Sequence, residues 1–315
     1  MARFSIGTAI GEAFGLMRRR PLAVFVWGLL MVAPSVASIA LILPMLSDMV
    51  STIGSDSAGH EQFHGAMMGG MMQLQGVASL LNLLQLLLMV IVYTAIMRAV
   101  VRPAETSFFS LRLGMDELRV AIVGLAIIVG FYVLLLIAVL LGVGIGFAAW
   151  SLGEPFNWLV IAALCVGLML ATWLGAARVS LMAPASVLHR TFAFEEGWKL
   201  ARGQAGTLFG MLLLIVLIVL VIEVTVFGIG ATIVAISASG PDWSQIHAVL
   251  EDDPFAGLQT LFAANWPWVA GCGVVLSAIY GVLITLAIAP FASACRQLTG
   301  NGVSPAGEPS AAPVE

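Results

Sequence analysis

The sequence predicts an all-α polytopic membrane bundle of six transmembrane helices, arranged as three pseudo-repeats. Three observations predict it. The 315 residues are 61% hydrophobic and only 10% charged, with a mean hydropathy of +1.06, whereas a soluble domain carries about 25% charged residues. Six apolar runs reach the roughly 20 residues that a membrane-spanning helix needs. Every basic residue falls on one side of the topology those runs define.

The first apolar run, Pro21–Leu46, follows a helix-like stretch ending in Arg18, Arg19 and Arg20. It is longer than the roughly 7–15 residues of a signal-peptide core, so it reads as an uncleaved first span. The others are Leu74–Met97, Val120–Trp150, Trp158–Ala177, Leu208–Ile236 and Trp268–Ala294. The third and fifth exceed the minimum and predict tilt or projection past the lipid. Pro34, Pro44 and Pro290 lie within spans and predict kinks or local unwinding.

All 13 Lys and Arg fall in segments that six spans place on one side. The loops 47–73, 151–157 and 237–267 contain none and carry acidic residues instead. By the positive-inside rule the basic side is cytoplasmic, with both termini. Trp150, Trp158, Trp266 and Trp268 mark the outer interface. The expected location is a bacterial inner membrane. The lipid bilayer is the expected partner, and no basic stretch suits nucleic acid.

Residues 1–300 read as one membrane domain, with pseudo-repeats at about 1–104, 105–190 and 191–300. Each unit has a short amphipathic helix, a span outward, an outer loop and a span back that ends in arginine. The short helices are expected at Phe4–Arg20, Phe108–Arg119 and Phe194–Arg202, lying in the headgroup plane. The stripes Gly7, Gly11, Gly15 and Gly273, Ser277, Gly281 suit close helix packing. The tail 301–315, rich in Pro, Gly, Ala and Ser, reads as disordered. Cys165, Cys272 and Cys295 lie in apolar runs without motif spacing and are expected as buried packing residues.

Three groups of residues are candidates for function. Glu223 lies near the middle of the fifth span, where a charged side chain costs about 2.5–3.5 kcal/mol on insertion scales, and no Lys or Arg occurs mid-span. Counting from the interfaces places Asn82, Gln85, Tyr132 and Tyr280 at similar depth. The set is either a proton-linked or substrate-binding midplane site, or a neutral acid hydrogen-bonded between helices. Arg98, Arg178 and Arg296 end the three returning spans. They either bind anionic lipid headgroups or anchor the helix ends by snorkelling.

The third group is in the first outer loop. His60-Glu61-Gln62-Phe63-His64 is a literal HExxH, followed by Met67, Met68, Met71 and Met72. On a helix, His at i and i+4 can chelate zinc, with the Glu activating water. Thioethers with imidazoles suit Cu(I). His247 or Glu251 would complete a site if two outer loops met. Gly54, Gly59, Gly65, Gly69 and Gly70 argue against a long helix there, which favours a solvated loop.

Arg178-Val-Ser-Leu-Met-Ala-Pro184 with Phe194-Glu-Glu-Gly-Trp-Lys-Leu-Ala-Arg-Gly203, and Phe4–Phe14 leading to Arg-Arg-Pro21, resemble bacterial inner-membrane proteins related to the membrane domain of some glycerophosphoryl diester phosphodiesterases. In those enzymes the chemistry belongs to a separate soluble barrel, which is not expected here. The resemblance implies a membrane module and carries over no catalytic residue. The functional expectation is a non-enzymatic protein without a cofactor, in a structural, regulatory or lipid-associated role. The alternatives are a small-molecule or proton-coupled transporter using Glu223, and an outer-face metal-binding or metalloprotease-like protein.

Overall fold

The computed structural model describes residues 4–54, 60–104, 108–111, 114–151, 153–238 and 266–300. The helices are α1 (Ile6–Arg19), α2 (Pro21–Gly54), α3 (His60–Val101), α4 (Met115–Trp150), α5 (Phe156–Val179), α6 (Met182–His189), α7 (Phe194–Ala201), α8 (Ala205–Ala238) and α9 (Trp266–Leu298). Among the described residues there is no strand. Among the described residues six helical segments are long and apolar enough to cross a membrane, and each expected apolar run falls within one of the helices that form them. The chain is a multi-pass membrane protein.

The helices are longer than the hydropathy suggested. At 1.5 Å per residue, the 34 residues of α2 and the 42 of α3 reach well past a hydrocarbon core of about 30 Å. Most of the expected loop 47–73 is therefore helical, and α3 runs through Gly65, Gly69 and Gly70. Each glycine costs roughly 1 kcal/mol in a helix interior, but extending an existing helix gains a hydrogen bond for every residue fixed. The helices also continue through Pro34, Pro44 and Pro290, so the expected local unwinding is not seen.

The connectors differ from expectation in two places. Phe108–Arg119 divides into a single 3-10 turn at Phe108–Ser110 and the first residues of α4. The unforeseen α6 packs against α7 through Gly197, where an added Cβ would lie 2.6 Å from Met182 Cα. Gly197→Val is expected to cost about 1–3 kcal/mol through overpacking, read as a drop in melting temperature. An unchanged melt would mean that α6 and α7 separate freely.

The core sits at the end of the bundle where both terminal segments lie. Ala13 and Leu16 of α1, Val24 and Trp27 of α2, Ile96 of α3, Val187 of α6 and Ala289 of α9 form one buried cluster. Leu181, Ala185, Ala201, Leu208 and Cys295 contribute to a second. Toward the other end the spans bury little: Leu125 through Phe147 of α4 is largely exposed. Apolar surface gains little by leaving lipid for protein, so helix association there depends on close packing and hydrogen bonds.

Close packing is greatest where α2 crosses α9. A Cβ on Gly28 would lie 1.8 Å from Ser277 O, and one on Gly281 would lie 2.1 Å from Val24 O. Ser277 and Gly281 thus serve as the small-residue stripe predicted, whereas a Cβ on Gly273 would touch nothing within 4 Å. The stripe on α1 does not pack: Gly7 and Gly11 are exposed. α1 instead buries Ala9, Ile10, Ala13 and Leu16, and Ser5 N donates to Gln297 Oε1 of α9 at 3.1 Å. Its apolar face meets protein, where a headgroup-plane anchor would meet lipid. Of the cysteines, Cys295 is buried as expected, but Cys165 and Cys272 are exposed, since apolar residues on a span can face lipid as readily as core.

Candidate functional site

A cleft of about 520 Å³ is lined by four helices. Met31, Val32 and Ser35 come from α2, Gln85 from α3, Glu223, Val226 and Phe227 from α8, and Leu276, Ile279, Tyr280 and Leu283 from α9. Glu223 is near the middle of α8. Phe227 is 78% exposed and Leu276 50%, so the cleft opens sideways on the flank of the bundle, where lipid would lie.

Three of the five residues expected at the midplane meet here: Glu223, Gln85 and Tyr280. Asn82 and Tyr132 do not line the cleft. Tyr132 is 65% exposed on α4, with Phe131 edge-on to it at 6.3 Å. Depth along a helix does not say which way a side chain points. Ser35 belongs to the set and was missed; its signal was a hydroxyl one turn beyond Met31, beside Pro34. Tyr93 of α3 lies close enough to Tyr280 to interact electrostatically.

The polar groups of the cleft lack a cation. Gln85 Nε2 donates to Met31 O at 3.3 Å. A carbonyl only accepts, so the amide nitrogen must face it and Oε1 must point away. That Oε1 is buried and has no hydrogen-bond partner. No Lys, Arg or His lines the cleft, and among the described residues none pairs with Glu223. The cleft therefore holds an exposed carboxyl group, two hydroxyls and an orphaned acceptor among otherwise apolar side chains.

The arginines at the ends of returning spans fare differently. Arg98 is 3% exposed. Its guanidinium is ion-paired to Glu117, lies 3.7 Å from Asp116 and donates to Ser110 O at 3.0 Å. Asp116 also binds Arg102 at 2.5 Å and Arg119 at 2.9 Å. Arg98 thus neither meets a lipid headgroup nor snorkels, because α4 brings two carboxylates over it. Arg296 pairs with Glu12 of α1 and donates to Val100 O at 2.7 Å, joining α9 to α1 and α3. Only Arg178 is exposed, with its guanidinium 5.6 Å from the Trp198 ring centroid.

These pairs hold an unusual turn. Phe109 and Ser110 adopt φ of 53° and 56°, a left-handed conformation that costs non-glycine residues about 1–3 kcal/mol each. Trp27 Nε1 donates to Phe109 O at 3.0 Å, and Arg20 Nη1 donates to Ser110 Oγ at 3.2 Å. With Arg98, donors from α2, from α3 and from the residue between α1 and α2 converge on two residues.

At the amino end of α3, His60 and His64 stand one helical turn apart along the backbone. Their side chains, that of Met67 and all of His247 lie outside the described residues. Met68, Met71 and Met72 are 71%, 56% and 71% exposed. Among the described residues no three His, Cys, Asp or Glu side chains are grouped to hold a metal. On the basic-end helix α7, the Lys199 ammonium 2.6 Å away holds the Glu195 carboxyl below its usual range.

Comparison of the chain with family models, curated proteins and solved structures finds no match.

Proposed function

We propose that this chain is a non-enzymatic, lipid-associated protein of a bacterial inner membrane, and that its cleft receives the polar end of an amphiphile from the bilayer. The observation that carries the proposal is the meeting of Gln85, Glu223, Tyr280 and Ser35, from four helices, in one apolar cleft on the flank of the bundle. Small-molecule sites combine mainly apolar walls with a few convergent polar groups, and an ionisable residue within a span marks a functional site by default. The resemblance to phosphodiesterase membrane domains points to the same lipid setting.

Native mass spectrometry of the purified protein tests this. The wild type is expected to retain an amphiphile, and Ser35→Trp, which fills the cleft, to lose most of it without a lower melting temperature. Equal retention by both would dismiss the cleft as the site. Transport of the same ligand is the second reading, favoured by the position of Glu223 near the middle of a span.

The proposed orientation places the basic end in the cytoplasm. Cysteines at Asp56, Glu154 and Asp252 are expected to react with an impermeant thiol reagent from outside. Those at Arg19, Arg112 and Lys199 should react only after permeabilisation. Labelling of intact cells at Arg112 would refute the arrangement.

A further inference from the structure

The chemistry of the cleft narrows what it would hold. Its amide donor is already bonded to Met31 O, while Gln85 Oε1 is buried without a donor. The Glu223 carboxyl group has no cation beside it. The nearest basic residues on or flanking the lining helices are Arg20, Arg98, Arg202 and Arg296, at the far end of the bundle; Arg20 stands 11 residues from Met31, about 16 Å along a helix axis. Arg98 stands 13 residues from Gln85, about 20 Å along a helix axis. Among the described residues the cleft therefore offers a carboxyl group, an unanswered acceptor and the hydroxyls of Ser35 and Tyr280, which can donate or accept, with no cationic side chain beside them. Removing a carboxylate from water without a partner is costly, and an ammonium is the smallest group that supplies both a countercharge and several N–H donors.

We infer that the ligand of this cleft is a cationic amphiphile: a protonated amine on an apolar body, its ammonium between Glu223 and Gln85 Oε1 and its body against Met31, Phe227 and Leu276. The inference rests on the reading of the cleft as an amphiphile site and specifies the head group. A charge-assisted hydrogen bond from an ammonium to a carboxylate is roughly twice as strong as a neutral one. The low dielectric of a lipid-flanked cleft strengthens it further. The amine has two chemical sources, a free alkylamine or the headgroup of phosphatidylethanolamine, and the experiment separates them.

The test uses the full-length protein in phosphatidylcholine nanodiscs with two photoreactive probes, a diazirine alkylamine and the matching alcohol. Labelled peptides are quantified by mass spectrometry, with α4 as the measure of nonspecific labelling from the lipid. The amine is expected to label peptides of α8 and α9 well above α4, and above the alcohol. Glu223→Gln should lower amine labelling about tenfold and leave alcohol labelling unchanged, which also shows that the variant is folded. Gln85→Leu should lower both, since its carbonyl accepts from either head group. Excess phosphatidylethanolamine that abolishes amine labelling identifies the lipid headgroup as ligand, and its failure to compete identifies a free amine. If amine and alcohol label the wild-type cleft equally, the cationic inference falls and the amphiphile site stands. If neither labels the cleft above α4, both fall.

Discussion

Glu117→Ala is expected to destabilise the detergent-solubilised protein by about 3–5 kcal/mol, the usual cost of removing one partner of a buried ion pair. Glu117 is 6% exposed and Arg98 3%, so the guanidinium left behind has little access to water. Asp116 cannot replace the lost carboxylate: it lies 3.7 Å from Arg98 and already binds Arg102 and Arg119. The turn at Phe109 and Ser110 should loosen as well, because Arg98 also holds Ser110 O. The double variant Arg98→Met/Glu117→Leu should recover much of the loss, since apolar side chains of similar volume leave no buried charge. The measurement is a thermal unfolding series followed by size-exclusion chromatography. A Glu117→Ala melt indistinguishable from the parent would show that the pair is solvated and contributes little.

Gly281→Leu is expected to separate α2 from α9 and to cost more than the 1–3 kcal/mol typical of overpacking. The obstruction is backbone: the Cβ would lie 2.1 Å from Val24 O and 3.0 Å from Val24 C, and neither atom can swing aside as a side chain would. Gly281→Ala already meets this clash and should be harmful. Gly273→Leu, two turns away on the same helix, is the control and should be close to neutral, because no atom lies within 4 Å of its Cβ. Equal melting temperatures for Gly281→Leu and Gly273→Leu would refute the close crossing. Gly28→Ala, which approaches from the other helix, should reproduce the effect of Gly281→Ala.

The spans were legible in the sequence because hydropathy and helical reach are local properties, read one segment at a time. Pairing is not local. Arg98 looked like a membrane-edge arginine because its partners, Asp116 and Glu117, stand beyond a connector and read as ordinary interfacial charges. Their role depends on α4 folding back over the end of α3. Depth counting brought Glu223, Gln85 and Tyr280 to one level, and the structure places them in one cleft. The same counting admitted Asn82 and Tyr132, because it fixes height on a helix and leaves the angle around it free. The helix through Gly65, Gly69 and Gly70 was missed because residue propensities were weighed without the continuity of a long apolar helix on one side. The left-handed pair Phe109-Ser110 carried no sequence signal, since neither residue favours that conformation.

The crossing of Gly28 with Gly281 joins the first span to the last, with about 250 residues made in between. At roughly 5–20 residues per second of synthesis, the first span waits on the order of 10–50 s for the surface it fits. During that interval the face of α2 at Gly28 lacks the helix that fills it. Closure of this crossing thereby waits on synthesis of Trp266–Leu298, and a chain stalled before Trp266 would carry the notch unfilled.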